Sequence, residues 1–242
     1  MRLIHWLPAA ACLAATASPA FAPARMAQPS ALAAGAEILE VRDIGGGVRG
    51  RYVAGPFTGS FRRDDTRLAV LDPAVERRAG AVSFDLRGPD INGAIEVDCT
   101  FRAQSLNAGP IHLEQEPTRL TCSFQHEGRV IPAALTAQTR PEGVAGAFGR
   151  ETRRGRIALD RTVLTIRSEH RLQGAAIGLA APAGYVFEAN GAPVGSVEIT
   201  GRPRIRIVAG ADPAVRRAVV AGALALGLMW DPATSALGRE AG

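Results

Sequence analysis

The thirteen residues from 218 to 230 carry no polar side chain. The stretch before them is written as a helix start. Asp212 can accept hydrogen bonds from the free N–H groups of a first turn, and Pro213 stands where a missing N–H does no harm. Pro232 biases Asp231 away from helical angles and so supplies a stop. At about 100° per residue, Val215, Val219, Leu226, Met229 and Trp230 point to one side. Val220, Leu224 and Leu228 point to another, with Ala218, Ala221 and Ala225 between them. A helix that is apolar all round must be enclosed, by protein or by lipid. Thirteen residues fall short of the roughly 20 that a bilayer span requires. A membrane-inserted tail over 213–230 is therefore the minor reading. The main one is a helix surrounded by protein, with the preceding chain as its enclosure.

That preceding chain reads as β structure. From Glu37 onward apolar and polar residues alternate in short runs, at 38–41, 48–53, 57–61, 68–71, 81–86 and 94–101. The pattern continues at 120–124, 130–135, 144–148, 156–159, 163–172 and 204–208. Gly, Pro and Asp separate the runs, as expected for antiparallel strands joined by tight turns. The clearest hairpin is 185–199, where Asn190-Gly191 can supply the positive φ angles of a type I′ turn. Strands do not alternate with helices, which argues against a parallel α/β sheet. The expected fold is mainly β: an antiparallel barrel of about a dozen strands around a buried C-terminal hydrophobic helix.

The first 22 residues have another character. Arg2 precedes a largely apolar stretch, and Ala20-Phe21-Ala22 fits the small-x-small cleavage rule of a secretory signal peptide. Pro8 interrupts the stretch, which argues against a membrane anchor. Cys12 follows three alanines, but lipidation there would cut the apolar core in half. Residues 23–36, rich in Ala and Pro, read as a disordered lead-in. The expected organisation is a signal peptide over 1–22, the lead-in over 23–36 and a single barrel domain over 37–232. The helix occupies 213–230, and a flexible tail follows over 233–242. The product would be exported, to the periplasm or the extracellular space.

Export bears on the cysteines. Removing residues 1–22 leaves Cys99 and Cys122, an even number in an oxidising compartment, which suggests a disulfide. They lie in matching contexts, Val97-Asp98-Cys99-Thr100-Phe101 and Leu120-Thr121-Cys122-Ser123-Phe124. Two buried free thiols are the alternative.

The layout resembles the tubby C-terminal fold, a group that includes the LURP-one-related and phospholipid-scramblase-like proteins. The resemblance rests on Asp212-Pro213, the apolar run 218–230 and the hairpin 185–199 before it. It implies a roughly 12-stranded barrel surrounding a buried C-terminal helix. The phosphoinositide-binding lysines of tubby have no counterpart, because the chain contains no lysine.

The motifs of familiar chemistry are missing. There is no Gly-x-Ser-x-Gly elbow, no Cys-x-x-Cys pair and no ligand spacing for zinc around His112, His126 or His170. Glu96 and Asp98, like Glu114 and Glu116, are two apart and can share a strand face, as ordinary exposed charges do. The glycines at 45–47 precede Arg49 and Arg51, but lack the lysine and helix of a phosphate loop. No catalytic, metal or cofactor-binding residue is assigned, and no cofactor is expected. Arg202, Arg204 and Arg206, spaced by two, would share one face of a strand. They fit an anion-binding face, or the solvated outer side of a barrel whose 28 cations are all arginine. Arg150, Arg153, Arg154 and Arg156 form a second cluster, read as a turn. An anionic lipid or membrane surface is the partner such arginines would suit. Nucleic acid is not expected, with two Tyr and two Trp in the chain. The function read from these features is an exported, non-enzymatic β-barrel, a binding or scaffold module of the envelope. The alternative is a hydrolase or other enzyme whose site the sequence does not reveal.

Overall fold

The computed structural model describes residues 24–45, 47–69, 75–108, 111–141 and 151–229. The expected signal peptide, the tail and the expected strand at 144–148 lie outside them. Twelve strands follow one another: β1 (Glu37–Arg42), β2 (Arg49–Ala54), β3 (Phe57–Ala69), β4 (Val75–Leu86), β5 (Ile95–Ala108) and β6 (Ile111–His126). Then come β7 (Arg129–Pro141), β8 (Glu151–Leu159), β9 (Thr162–Glu169), β10 (Gly184–Ala189), β11 (Ala192–Glu198) and β12 (Arg204–Ile207). Each pairs antiparallel with the next. The ring closes because β1 gives Glu37–Glu40 to β12 and Val41–Arg42 to β2. Closure gives every one of these strands a paired neighbour on both sides.

The fold is thus the expected antiparallel barrel with a C-terminal helix, and the strands differ from the expectation only in extent. The run at 57–61 and the first two residues of the run at 68–71 belong to the single strand β3, because residues 61–69 pair without interruption to β4; residues 70 and 71 lie outside the described residues. At the β10–β11 turn both Asn190 (φ 50°) and Gly191 (φ 80°) are left-handed, as a type I′ turn demands.

Alternation sorts the side chains. Leu39, Val41, Tyr52, Phe57, Phe61, Phe84, Val97, Phe101, Phe124, Leu135, Ile157, Leu164, Phe187 and Ile205 are buried in one core. The helix α2 (Pro213–Leu228) completes that core. Asp212 Oδ1 accepts the N–H of Ala214 at 2.8 Å and caps the first turn. Arg216 and Arg217 hold the entry, with Arg216 Nη2 on Glu37 Oε1 at 2.5 Å and Arg217 Nη2 on Asp160 Oδ2 at 3.1 Å. From Ala218 to Leu226 every residue is buried. The helix packs on β8, β9, β11 and β12 and also on β4, far round the ring, so it lies inside the barrel. Small residues permit the fit: a Cβ on Gly222 would lie 2.7 Å from the Phe187 ring, and one on Gly195 2.5 Å from a Val219 methyl. The helix ends at Leu228, two residues before the expected Trp230, with Met229 already extended.

Cys99 and Cys122 stand directly opposite one another on β5 and β6, and their sulfurs are bonded at 2.07 Å. Both face the core.

Residues 24–36 are anchored to the barrel by two buried side chains, Met26 and Leu32, where a disordered lead-in was expected. Met26 is fully buried against Ala183, Val186 and Leu172. Ala27 N–H donates to Arg171 O, and Gln173 N–H to Arg25 O, both at 2.8 Å. The turn α1 (Ser30–Ala33) buries Leu32 completely and sits on β11. The physical cause is on the barrel. Val186 faces outward and is apolar, so β10 and β11 have two faces to cover rather than one.

Candidate functional site

With α2 inside the ring, two kinds of place remain for chemistry: the interior around buried polar groups, and the outer face. The interior holds more polar groups than the strand patterns suggest. Arg153 was read as part of a turn; it lies instead on β8, where residues 153, 157 and 159 share the inward face, and it is buried. Its Nη1 donates to Tyr185 Oη at 2.9 Å. Arg63, on the inward face of β3, lies over the Phe61 ring, 4.4 Å from its centre. Burial lowers the pKa of the Arg63 guanidinium.

Beside Arg153 is a pair that the sequence reading missed. His170 Nδ1–H donates to Leu179 O at 3.1 Å, which leaves Nε2 as an acceptor for the hydroxyl of Ser168 at 2.9 Å. Ser168 Oγ in turn accepts the N–H of Arg153 at 2.9 Å. A serine hydrogen-bonded to an oriented imidazole is the arrangement of a nucleophile and its base. The same contacts also hold the loop after β9 closed, because Leu179 N–H donates to His170 O at 2.8 Å. No Gly-x-Ser-x-Gly motif marks this pair; only the close spacing of Ser168 and His170 was available to signal it.

The three arginines of the expected anion-binding face divide. Arg204 and Arg206 share the outer face of β12, but Arg202 precedes the strand, in the turn after β11. Pro203 intervenes: it has no N–H to give a ladder, and pairing starts at Arg204. Arg204 Nη2 is on Glu40 Oε1 at 2.5 Å. Arg206 Nη1 donates to Leu32 O at 3.3 Å and so fastens the N-terminal segment. Arg202 is exposed and makes no ion pair among the described residues. It lines a hollow of about 270 Å³ with Ala24, Arg25, Glu198, Thr200 and Arg204. Within it Arg25 Nη1 is 3.4 Å from Glu198 Oε1, and Thr200 donates to Ala24 O at 3.1 Å.

A larger pair of hollows, of about 510 and 520 Å³, lies on the outer face of β2 to β5 and shares Ser60 and Asp85. Gly59 lets the strands approach here: a Cβ would stand 1.8 Å from Asp85 O. Tyr52, buried below, donates its hydroxyl to that same carbonyl at 2.8 Å. Burial, aided by the charge of Asp85, pushes the Tyr52 pKa far up, so it stays a donor. Asp85 Oδ1 accepts the hydroxyl of Ser60 at 2.5 Å and its N–H at 2.8 Å, and Oδ2 accepts Arg87 Nε at 3.2 Å. Burial alone would raise its pKa. The Ser60 bonds and the charge and bond of Arg87 outweigh this and hold it below the ordinary range. Glu169 behaves alike. Burial raises it, while the backbone N–H and guanidinium of Arg171, with Arg167, bring it lower.

These two carboxyls fix the sign of the acid response. Both bind protons less readily folded than unfolded, so each contributes stability above the ordinary carboxyl pKa of about 4. That contribution disappears as pH falls through the depressed folded values. Urea unfolding at a series of pH values should show stability falling below about pH 4, and Asp85→Asn and Glu169→Gln should each flatten that fall. A parent whose stability rises on acidification would contradict the assignment.

His126 Nε2 donates to the carbonyl of Asn92, so this histidine holds the β4–β5 loop. His112, Glu114 and Glu116 have no described side chains. Among the described residues no three His, Cys, Asp or Glu side chains converge to hold a metal ion. No helix among them is long and apolar enough to cross a membrane. Comparison of the chain with protein-family models, with curated proteins and with solved structures gives no match.

Proposed function

We propose that the protein is an exported, non-enzymatic β-barrel that serves the cell envelope as a binding module and meets its ligand on the outer face. One observation carries this reading: α2 occupies the barrel interior along Ala218–Leu226. Barrels that hold a ligand inside leave that volume open. The Cys99–Cys122 bond is compatible with an oxidising compartment. An anionic lipid surface suits the turn at Arg202, whose guanidinium makes no ion pair among the described residues and stands beside the pairs Arg204–Glu40 and Arg25–Glu198.

The reading is tested on protein recovered from cells and then on vesicles. The mature chain is expected to begin near Pro23 and to leave the cytoplasm; an intact Met1, or a lipid on Cys12, would contradict export as described. The recovered protein is expected to bind vesicles containing anionic lipid at low salt and to release them as salt screens the charges. Arg202→Gln removes about 1 kcal/mol of surface attraction, roughly fivefold in affinity, with little change in melting temperature. Arg206→Gln is not an equivalent test, because that side chain holds Leu32 in place. The hydrolase alternative draws on Ser168 and His170. A fluorophosphonate that labels Ser168 in the folded protein would move the assignment there.

A further inference from the structure

The Arg49 and Arg51 pair and the Glu96 and Asp98 pair lie far apart in the sequence. The register of the ring brings them together. Arg49 stands opposite Arg62, Arg62 opposite Ser83, and Ser83 opposite Asp98, so one straight row crosses four strands. The next row runs from Arg51 opposite Ser60, through the Ser60–Asp85 hydrogen bond, to Asp85 opposite Glu96. All these residues lie on the outward face. Between the charged ends lie the short side chains of Ser60 and Ser83, with Asp85 held by Ser60 and Arg87, and the 510 Å³ hollow opens over them.

Within this hollow the charges are sorted: Arg49 and Arg62 stand on β2 and β3, and Asp85, Glu96 and Asp98 on β4 and β5. Arg49, Arg62, Glu96 and Asp98 are exposed, and none of their side chains makes a hydrogen bond or ion pair among the described residues. Directly opposed like charges such as Arg49 and Arg62 cost stability, whereas opposite charges placed there would add to it. Ser83 keeps Arg62 and Asp98 two strand spacings apart, about 10 Å between backbones. Direct salt bridges across the floor are thereby avoided, and both ends keep their charge available.

We propose that this groove binds a short zwitterionic peptide of two or three residues. Its carboxylate lies between Arg49 and Arg62, and its ammonium between Glu96 and Asp98. Guanidinium pairs suit a carboxylate because their planar N–H groups match its two oxygens. The length follows from the floor: an extended chain covers about 3.3–3.6 Å per residue, so three residues span about 10 Å. The Ser83 hydroxyl faces the middle of such a peptide and can bond its amides. This assignment rests on the reading of the protein as an outer-face binding module, and it names the ligand class of a site distinct from the Arg202 turn.

The test uses trialanine as the probe, with the mature protein labelled for amide NMR. Trialanine is expected to shift the amides of residues 49–51, 60–62, 83–85 and 96–98 in a saturable way. Acetylating its amino end, or amidating its carboxyl end, should each weaken binding about tenfold or more, the loss of one charge-assisted contact. In Arg49→Gln/Arg62→Gln protein amidation should make little further difference, while acetylation still does. In Glu96→Gln/Asp98→Asn protein the pattern should reverse. Melting temperatures near the parent's would show that both variants are folded. Binding that ignores both end groups, or no shift at millimolar trialanine, overturns the proposal. If the same protein still binds anionic vesicles, only the peptide groove falls; if it binds neither, the binding-module reading falls with it.

Discussion

Leu224→Asp is expected to leave no folded protein at 25 °C. Leu224 lies in the middle of α2, 1% exposed, with barrel wall around it. The substitution removes about 2 kcal/mol of apolar burial. It also buries a carboxylate among apolar side chains, at a cost of several kcal/mol. Together these approach the 5–15 kcal/mol that holds a domain folded. Leu224→Ala is the graded control, expected to cost about 2–5 kcal/mol and to keep the fold. Near-ultraviolet circular dichroism and thermal melts distinguish them. An aspartate variant that melts like the parent would mean that the helix is not enclosed.

The second large effect concerns the bond between β5 and β6. Cys99 and Cys122 are 23 residues apart, so their bond closes a hairpin loop. In the chain-entropy model this stabilises by about 3 kcal/mol. The double variant Cys99→Ala/Cys122→Ala should lose about that much in urea unfolding. Reductant should act on the parent only when it unfolds, since both residues are at most 2% exposed. Thiol titration of unfolded, unreduced mature protein should find essentially no free thiol. Two free thiols would remove the disulfide, and with it the covalent support for an oxidising compartment.

Local signals were legible and long-range ones were not. Asp212 and Pro213 mark the start of α2 because capping depends on adjacent residues. The Asn190-Gly191 turn is legible for the same reason. The N-terminal segment was misread as disordered because its partners lie far away: Ser196 Oγ donates to Gln28 across 168 residues, and Arg206 reaches Leu32 O across 174. A clue existed in Tyr185-Val186-Phe187, three apolar residues in succession, where a strand with one wet face would alternate. Arg153 could have been placed inward by counting in twos from Ile157. The charged groove was visible only as two unrelated pairs, Arg49 with Arg51 and Glu96 with Asp98. Which residue stands opposite which is fixed by register, and register is set across the whole ring.

The helix inside the barrel is what directs any ligand to the outer face. Amide hydrogen exchange of the mature protein, with and without anionic vesicles, measures this directly. The amides of Ala218 to Leu226 are expected to exchange only through global unfolding, at the slowest rate in the protein, and vesicles should leave them unchanged. Exchange of these amides as fast as the exposed turn at Asn190-Gly191, or its acceleration when vesicles are added, would show a helix that leaves the barrel and would contradict the account.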